Sequence, residues 1–207
     1  ELAFLDDEDA FAPTPRADAP AVPDDDRAAY ERFVERAVKP QKQGGYHSIE
    51  AHLTRGDLNV QQWHGLADVV RNWGNARARS TWGQNMLLRW IPTEHLYGAW
   101  RDLKALGLGG DDAGEITDVV SCPGTDSCKL GITSSMGLNS AVRDKLAQLD
   151  IDDAATRRIR IHMSGCPNSC GQHHIANIGF HGAAIRQGQR QIPAYHVFLA
   201  GSYRNGD

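Results

Sequence analysis

The sequence predicts an α+β protein built from two successive parts. Three observations carry that expectation. Helix-period and strand-period apolar patterns succeed one another over residues 27–113; a second mixed pattern follows over 114–207; and 207 residues with 41% apolar content can fill one substantial core or two smaller ones.

Residues 1–26 stand apart. They hold nine acidic residues against Arg16 alone, together with Pro13, Pro15, Pro20 and Pro23, and read as an acidic, proline-rich linker. The segment carries −8 of a net charge of −4, so the body is +4, mildly basic and suited to an anionic ligand. It starts without an initiator Met, as a piece of a longer or processed chain does. Asp26 is then placed to cap a helix with Tyr30, Phe33, Val34, Ala37 and Val38 on one face, ending before Pro40.

From Tyr46 the pattern alternates, with Ile49, Ala51 and Leu53 on one side of a strand. A helix follows with Val60, Trp63, Ala67 and Val70 as its apolar face and Gly74 as a left-handed stop. "RARSTWGQNMLLRWI" reads as two short strands interrupted near Gly83, Thr93 caps a helix carrying Leu96, Trp100, Leu103 and Leu106, and a strand spans Ile116 to Ser121. This order of strand, helix, strand, strand, helix, strand is that of a ferredoxin-like unit. Beyond Cys128 a helix is expected through Leu130 to Leu149, broken at Gly131 and Gly137, followed by strands in "RRIRIHMS", "ANIGFHGAAI" and "AYHVFLAG".

Composition excludes several classes. No apolar run approaches the roughly 18 residues of a membrane span and no signal peptide is present, so no membrane partner and a cytoplasmic location are expected. No Lys/Arg run points to nucleic acid, and no glycine-rich dinucleotide fingerprint points to direct NAD(P)H binding.

The four cysteines fall in two pairs, Cys122 and Cys128 in "CPGTDSC" and Cys166 and Cys170 in "CPNSC", with 37 residues between the pairs. Each pair follows a predicted strand, so strand ends of one sheet can bring both loops to one place. Structural zinc takes cysteines two to four apart, which suits the second pair and not the first. Disulfides do not suit a reducing compartment, and inert core cysteines would not explain two pairs flanked by Pro and Gly. An iron–sulfur cluster tolerates the wider spacing, and glycines admit backbone N–H groups to the sulfurs; zinc stays open as second choice.

"CPGTDSC" with "SGCPNSCGQHHIANIGFHG" closely resembles the cluster-binding signature of the sirohaem-dependent nitrite and sulfite reductases. "RSTWGQN" is similar to their Thr-x-x-Gln-Asn segment, and the stretch from Lys39 to Gly74 resembles the opening of their second ferredoxin-like half-domain. The resemblance runs from about Lys39 to Gly201 and implies a helix plus ferredoxin-like half-domain over 27–113 and a mixed α/β domain for a 4Fe–4S cluster and sirohaem over 114–207, incomplete at its C-terminus. It implies that Cys122, Cys128, Cys166 and Cys170 hold the cluster, that the Cys170 thiolate bridges to sirohaem iron, and that nitrite or sulfite is reduced by six electrons arriving from ferredoxin or a flavoprotein.

Sirohaem carries eight carboxylates, and by motif position Arg79, Thr81, Gln84, Asn85, Asn168 and Gln172, with Lys129 by its place beside Cys128, are candidates to meet it. Arg79 reads equally as a solvated strand residue and Gln84 and Asn85 as turn formers, while His173 and His174 are expected to cap or pack locally. The resemblance covers only the second of the family's two halves. The substrate-gripping basic residues are therefore expected in a missing N-terminal half, and Trp63, Trp90 and Trp100 are expected on a partly exposed surface. Other readings are a precorrin-3B synthase-like enzyme of cobalamin synthesis and a non-catalytic iron–sulfur relay that docks a redox partner through its acidic arm.

Overall fold

The computed structural model describes residues 17–202, so most of the expected linker, residues 1–16, lies outside the described residues. The chain divides into two compact units, one reaching to Leu53 and continuing over Asp57–Ala113, the other comprising Thr54–Gly56 and the chain from Gly114.

In the first unit, helix α1 (Asp24–Ala37) begins inside the expected linker, with three aspartates in its first turn and Arg36 in its last, both signs suited to the helix dipole. Asp26 does not cap it; Pro23 holds that position, and Asp26 reaches across to accept from Tyr97 Oη and Lys104 Nζ, each at 2.7 Å. The helix ends at Ala37 because Pro40 disfavours helical geometry just before it, and Val38, expected on the helix, opens strand β1 (Val38–Pro40).

β1 joins β2 (Tyr46–Ala51), β4 (Met86–Pro92) and β3 (Ala78–Ser80) in an antiparallel sheet of order β1-β2-β4-β3. Ile49, Ala51 and Leu53 are buried as the alternation predicts. Helix α2 (Val60–Trp73) starts at a reciprocal cap between Asn59 and Gln62. Its buried stripe is Leu66, Val69, Val70 and Trp73, whereas Val60 and Trp63, assigned to that face from sequence, stay 73% and 53% exposed. Gly74 is not left-handed. A side chain there would meet Arg89 O at 2.8 Å, so close backbone approach is the reason for glycine.

Helix α3 (Leu96–Ala105) follows a single tight turn, Thr93–His95; Thr93 Oγ1 donates to Gly45 O rather than capping the helix. Trp90 and Trp100 are buried at 4% and 2% exposure, so of the three tryptophans expected at a surface only Trp63 lies there. Trp100 is enclosed by Tyr30, Phe33 and Tyr97 and donates to Gly109 O.

The second unit holds the other sheet, of order β5-β6-β7-β8. Only Val120–Ser121 of the expected Ile116–Ser121 strand is extended, and it forms β5 here, leaving β1 to supply the fourth strand of the first sheet. β5, β6 (Ile161–Ser164) and β7 (Ile178–Gln187) run parallel, and β8 (Arg190–Leu199) returns antiparallel beside β7. Helix α4 (Ser135–Leu146) packs Leu138, Val142 and Leu146 against Ile116, Val119, Ile161 and Met163; the short α5 (Ala154–Arg157) is capped by Asp153. α4 starts later than the expected Leu130 because Ile132 and Thr133 are committed to donating N–H to Gly165 O in the loop after β6. No helix among the described residues is long and apolar enough to cross a membrane.

Candidate metal centre

Both cysteine loops leave the carboxyl ends of neighbouring parallel strands. Val120 pairs with His162 and Ser121 with Met163, so Cys122 emerges level with Ser164, two residues before Cys166. Such strand ends, where loops diverge, are where open α/β sheets bind ligands.

Backbone bonds and glycine contacts press the two loops together. Ile132 and Thr133 both donate N–H to Gly165 O, at 2.8 and 3.1 Å, and Cys122 N donates to Met163 O. A Cβ on Gly165 would lie 2.6 Å from Gly124 Cα and 2.8 Å from Thr133 O, and one on Gly131 would lie 2.7 Å from the Gly124 carbonyl carbon. Gly124 itself has φ 54°, where side chains are strained. Around the second pair, Ser169 and Gln172 take left-handed backbone, Gln172 N donates to Ser169 O at 2.8 Å, and Gly171 N donates to Ser164 Oγ at 3.0 Å.

All four thiols are free. Cys122 is buried, Cys166 half-buried, and Cys128 and Cys170 are exposed. The Gly165 N–H points at Cys122 Sγ at 3.1 Å, the kind of donation that stabilises a thiolate. Ser135 Oγ donates to Cys122 O at 2.7 Å. No group of three His, Cys, Asp or Glu among the described residues stands in metal-binding geometry. What fits a metal–sulfur group is the donor chemistry: four thiols on two abutting loops, small residues between them, and an amide already turned toward one sulfur.

Lys129 and Asn168 are exposed and Gln172 half-buried on these loops. In the first unit, Thr81, Gln84 and Asn85 form the turn between β3 and β4: Thr81 N donates to Asn85 O, Gln84 N to Thr81 O, and Thr81 Oγ1 to Glu50 Oε1 at 3.0 Å. Asn85 is buried, and its Oδ1 accepts from Leu53 N at 2.9 Å, so its amide braces the turn from below. Arg79 is exposed on β3.

Sequence reasoning did not reach the support beneath the cysteines. His162 lies under the second loop, its Nδ1 3.0 Å from Gly171 O, and burial pulls its pKa down to about 4. His173 is fully buried, with Nδ1 2.9 Å from Ser164 Oγ and its ring against His174, His181 and Phe198; burial lowers its pKa to about 4 as well. The expected local packing of His173 and His174 is what the structure has. For Ser164 the "SGCPNSC" context was the available signal; for Ser135 and His162 there was none.

Two family models match in succession: the nitrite/sulfite reductase ferredoxin-like half domain over residues 39–106 and the nitrite and sulphite reductase 4Fe-4S domain over residues 113–206. The chain belongs to the nitrite and sulfite reductase family. Among curated relatives, this family member is 32% identical to the ferredoxin–nitrite reductase of Synechococcus elongatus over 79% of its own length and 31% of the relative's. It is 29% identical to the chloroplastic ferredoxin–nitrite reductase of Zea mays, over 85% of this chain and 32% of that one. It is also 29% identical to a ferredoxin sulfite reductase of Mycolicibacterium paratuberculosis, over 76% of this chain and 29% of that one. The chain thus spans about a third of the length of these relatives. Among solved structures, the NirA protein of Mycobacterium tuberculosis shares the fold with a TM-score of 0.65 at 23% identity, over 92% of this chain and 33% of that one.

Proposed function

We propose that this chain is the redox-centre portion of a nitrite or sulfite reductase, with Cys122, Cys128, Cys166 and Cys170 holding a 4Fe–4S cluster and the Cys170 thiolate shared with sirohaem. The observation that carries the reading is the pair of cysteine loops leaving adjacent parallel strand ends, locked by Gly165, with an amide donated to Cys122 Sγ. When bound, the cofactors supply successive one-electron transfers, six for each nitrite taken to ammonia or sulfite taken to sulfide.

The chain's own residues bind and orient. The Gly165 N–H stabilises negative charge on the Cys122 sulfur, which favours thiolate ligation and tunes the potential of what the sulfur holds. Ser164, held by Gly171 N and His173, keeps the second loop tight against the strand end, and neutral, buried His162 supports Gly171 from beneath. Arg79 and Lys129 supply cations for the carboxylates of the tetrapyrrole, and Gln84, Asn168 and Gln172 supply amides, with Thr81 and Asn85 shaping the turn that carries Gln84. Substrate-binding basic residues belong to other parts of the protein that contains this chain. The ferredoxin-dependent relatives support ferredoxin as electron donor, and reduced thiols suit the cytoplasm.

The test is metal and sulfide analysis with an absorption spectrum on chain purified without oxygen from cells that make sirohaem. About four irons with acid-labile sulfide, or about five with haem bands, are expected. Zinc in stoichiometric amount without sulfide overturns the reading and leaves the cysteines a structural site.

A further inference from the structure

The β7–β8 hairpin gathers four of the chain's nine histidines. Side chains alternate across a strand, and the register pairs Gly179 with Phe198, His181 with His196 and Ala183 with Ala194, so these six positions share one face of the sheet. A Cβ at Gly179 would collide with His173 O, and its absence lets the turn His173–Ile175 settle onto the strand, with His173 and His174 against Phe198. The result is a row of imidazoles. Ring centres of His174 and His173 are 4.0 Å apart, those of His173 and His181 5.1 Å, and those of His181 and His196 5.0 Å.

His181 and His196 differ from a packed core pair. His196 is exposed and His181 half-buried, and their ring planes lie 10° apart on directly opposite positions of antiparallel strands. Opposite residues of such strands hold their Cβ atoms about 4.5–5.5 Å apart, within reach of one ion bonded to both rings. His181 Nδ1 stands 3.1 Å from Gly182 O. A carbonyl only accepts, so Nδ1 carries the hydrogen and the neutral ring keeps its lone pair on Nε2. Metal-ligating histidines are typically oriented in this way, the second nitrogen donating to a backbone carbonyl or carboxylate. In the neighbouring ring, His173 Nε2 is buried without a hydrogen-bond partner. A buried polar atom in that condition calls for an explanation, and a water held on a metal ion beside His181 supplies the partner.

We propose that His181 and His196 chelate a divalent ion of the borderline transition-metal class, with Zn²⁺ as its type, through His181 Nε2 and an imidazole nitrogen of His196. Imidazole suits this class, whereas Mg²⁺ and Ca²⁺ take oxygen ligands. No three of His, Cys, Asp and Glu among the described residues stand in metal-binding geometry, so the hairpin supplies two ligands and water completes the shell. Rotation of the two side chains, one of them exposed, brings both nitrogens to the roughly 2.0–2.1 Å bond of zinc to imidazole. The site uses none of the four thiols and stands whether or not those hold a cluster.

The test is heteronuclear NMR of the imidazole rings in the 207-residue chain, titrated with ZnCl₂ past the amount the thiols take up and, as control, with MgCl₂ at equal ionic strength. Binding at the thiols shows separately, in the amides of Gly165 and Gly171. Saturable shifts of His181 and His196 with a common midpoint are expected, His181 Nε2 moving most while its Nδ1 stays protonated. His196→Gln should weaken zinc binding at His181 about tenfold or more, because the second imidazole binds as part of the same molecule, and His181→Gln should do the same at His196. Dispersion of the amide spectrum checks that each variant folds; where His181→Gln does not, His196→Gln alone decides. Rings unmoved by zinc, shifts matched by magnesium, or one ring responding undiminished without the other each overturn the proposal.

Discussion

Gly165→Ala tests whether the two cysteine loops are held together by close backbone contact. The new Cβ would stand 2.6 Å from Gly124 Cα and 2.8 Å from Thr133 O, and neither is a side chain that can swing aside. Overpacking of this kind costs about 1–3 kcal/mol. Relief requires the loops to part, which weakens the bonds from Ile132 N and Thr133 N to Gly165 O and the donation to Cys122 Sγ. At about 0.5–1.5 kcal/mol net for each hydrogen bond, losing two brings the total to about 2–6 kcal/mol. The assay is local, because a two-unit chain need not unfold in one step. Disulfide-exchange labelling of Cys122, buried in the native chain, should accelerate by two to three orders of magnitude in the variant. Gly44→Ala is the control, since a Cβ there meets nothing within 4 Å. A Gly165→Ala protein that shields Cys122 as well as the parent refutes the account of how the loops are joined.

Acidification should destabilise the second unit. Native His162 is held near pKa 4 against about 6.5 unfolded, so below pH 6.5 the unfolded state takes up the extra proton, and its contribution to stability, full above pH 7, is lost as pH falls through the window from 6.5 to 4. That amounts to about 2 kcal/mol by pH 5, measurable by urea denaturation at the two pH values and reduced in His162→Gln. Asn85→Ala should cost about 1–3 kcal/mol by leaving the buried Leu53 N–H without its acceptor, read by thermal denaturation. Trp63→Gln, by contrast, should stay within about 0.5 kcal/mol of the parent, because the side chain is exposed. Deleting residues 1–26 should lower the melting temperature, because Asp26 accepts from Tyr97 and Lys104; an unchanged melt would show that those bonds contribute nothing.

Where the pattern in the sequence was long and regular, the fold could be read from it. Alternation located β2, β4, β6 and the β7–β8 hairpin, and apolar spacing located α1, α2 and α3. Errors arose where a residue's partner lies far along the chain. Asp26 has the chemistry of a cap, yet Lys104 and Tyr97 compete for its carboxylate from 78 and 71 residues away. The apolar face of α2 was displaced toward its first turn because Val60 and Trp63 are as hydrophobic as the residues that do pack, and only the extent of the core decides between them. The strand expected over Ile116–Ser121 is real for two residues but belongs to the other sheet, and periodicity carries no information about which sheet receives a strand.

The candidate centre divides in the same way. Cysteine spacing and the Pro and Gly flanking it named the loops, since those residues have few other reasons to cluster. What joins the loops was illegible: Gly165 is an ordinary loop glycine until its segment meets Gly124 and Thr133 some thirty to forty residues away, and then it becomes a position no side chain can occupy. The bulge at Trp90, where Ser48 of β2 stands opposite both Arg89 and Trp90 of β4, is more hidden still. "NMLLRWI" is uninterrupted strand by propensity, with nothing to mark a left-handed residue. Gln41, on a different strand connection, gives the turned Trp90 N–H an acceptor and so makes the conformation tenable. In both places a local choice costs energy and a distant contact offsets it. Local consistency therefore located the elements, while the breaks in it fall where contacts from far along the chain decide the backbone.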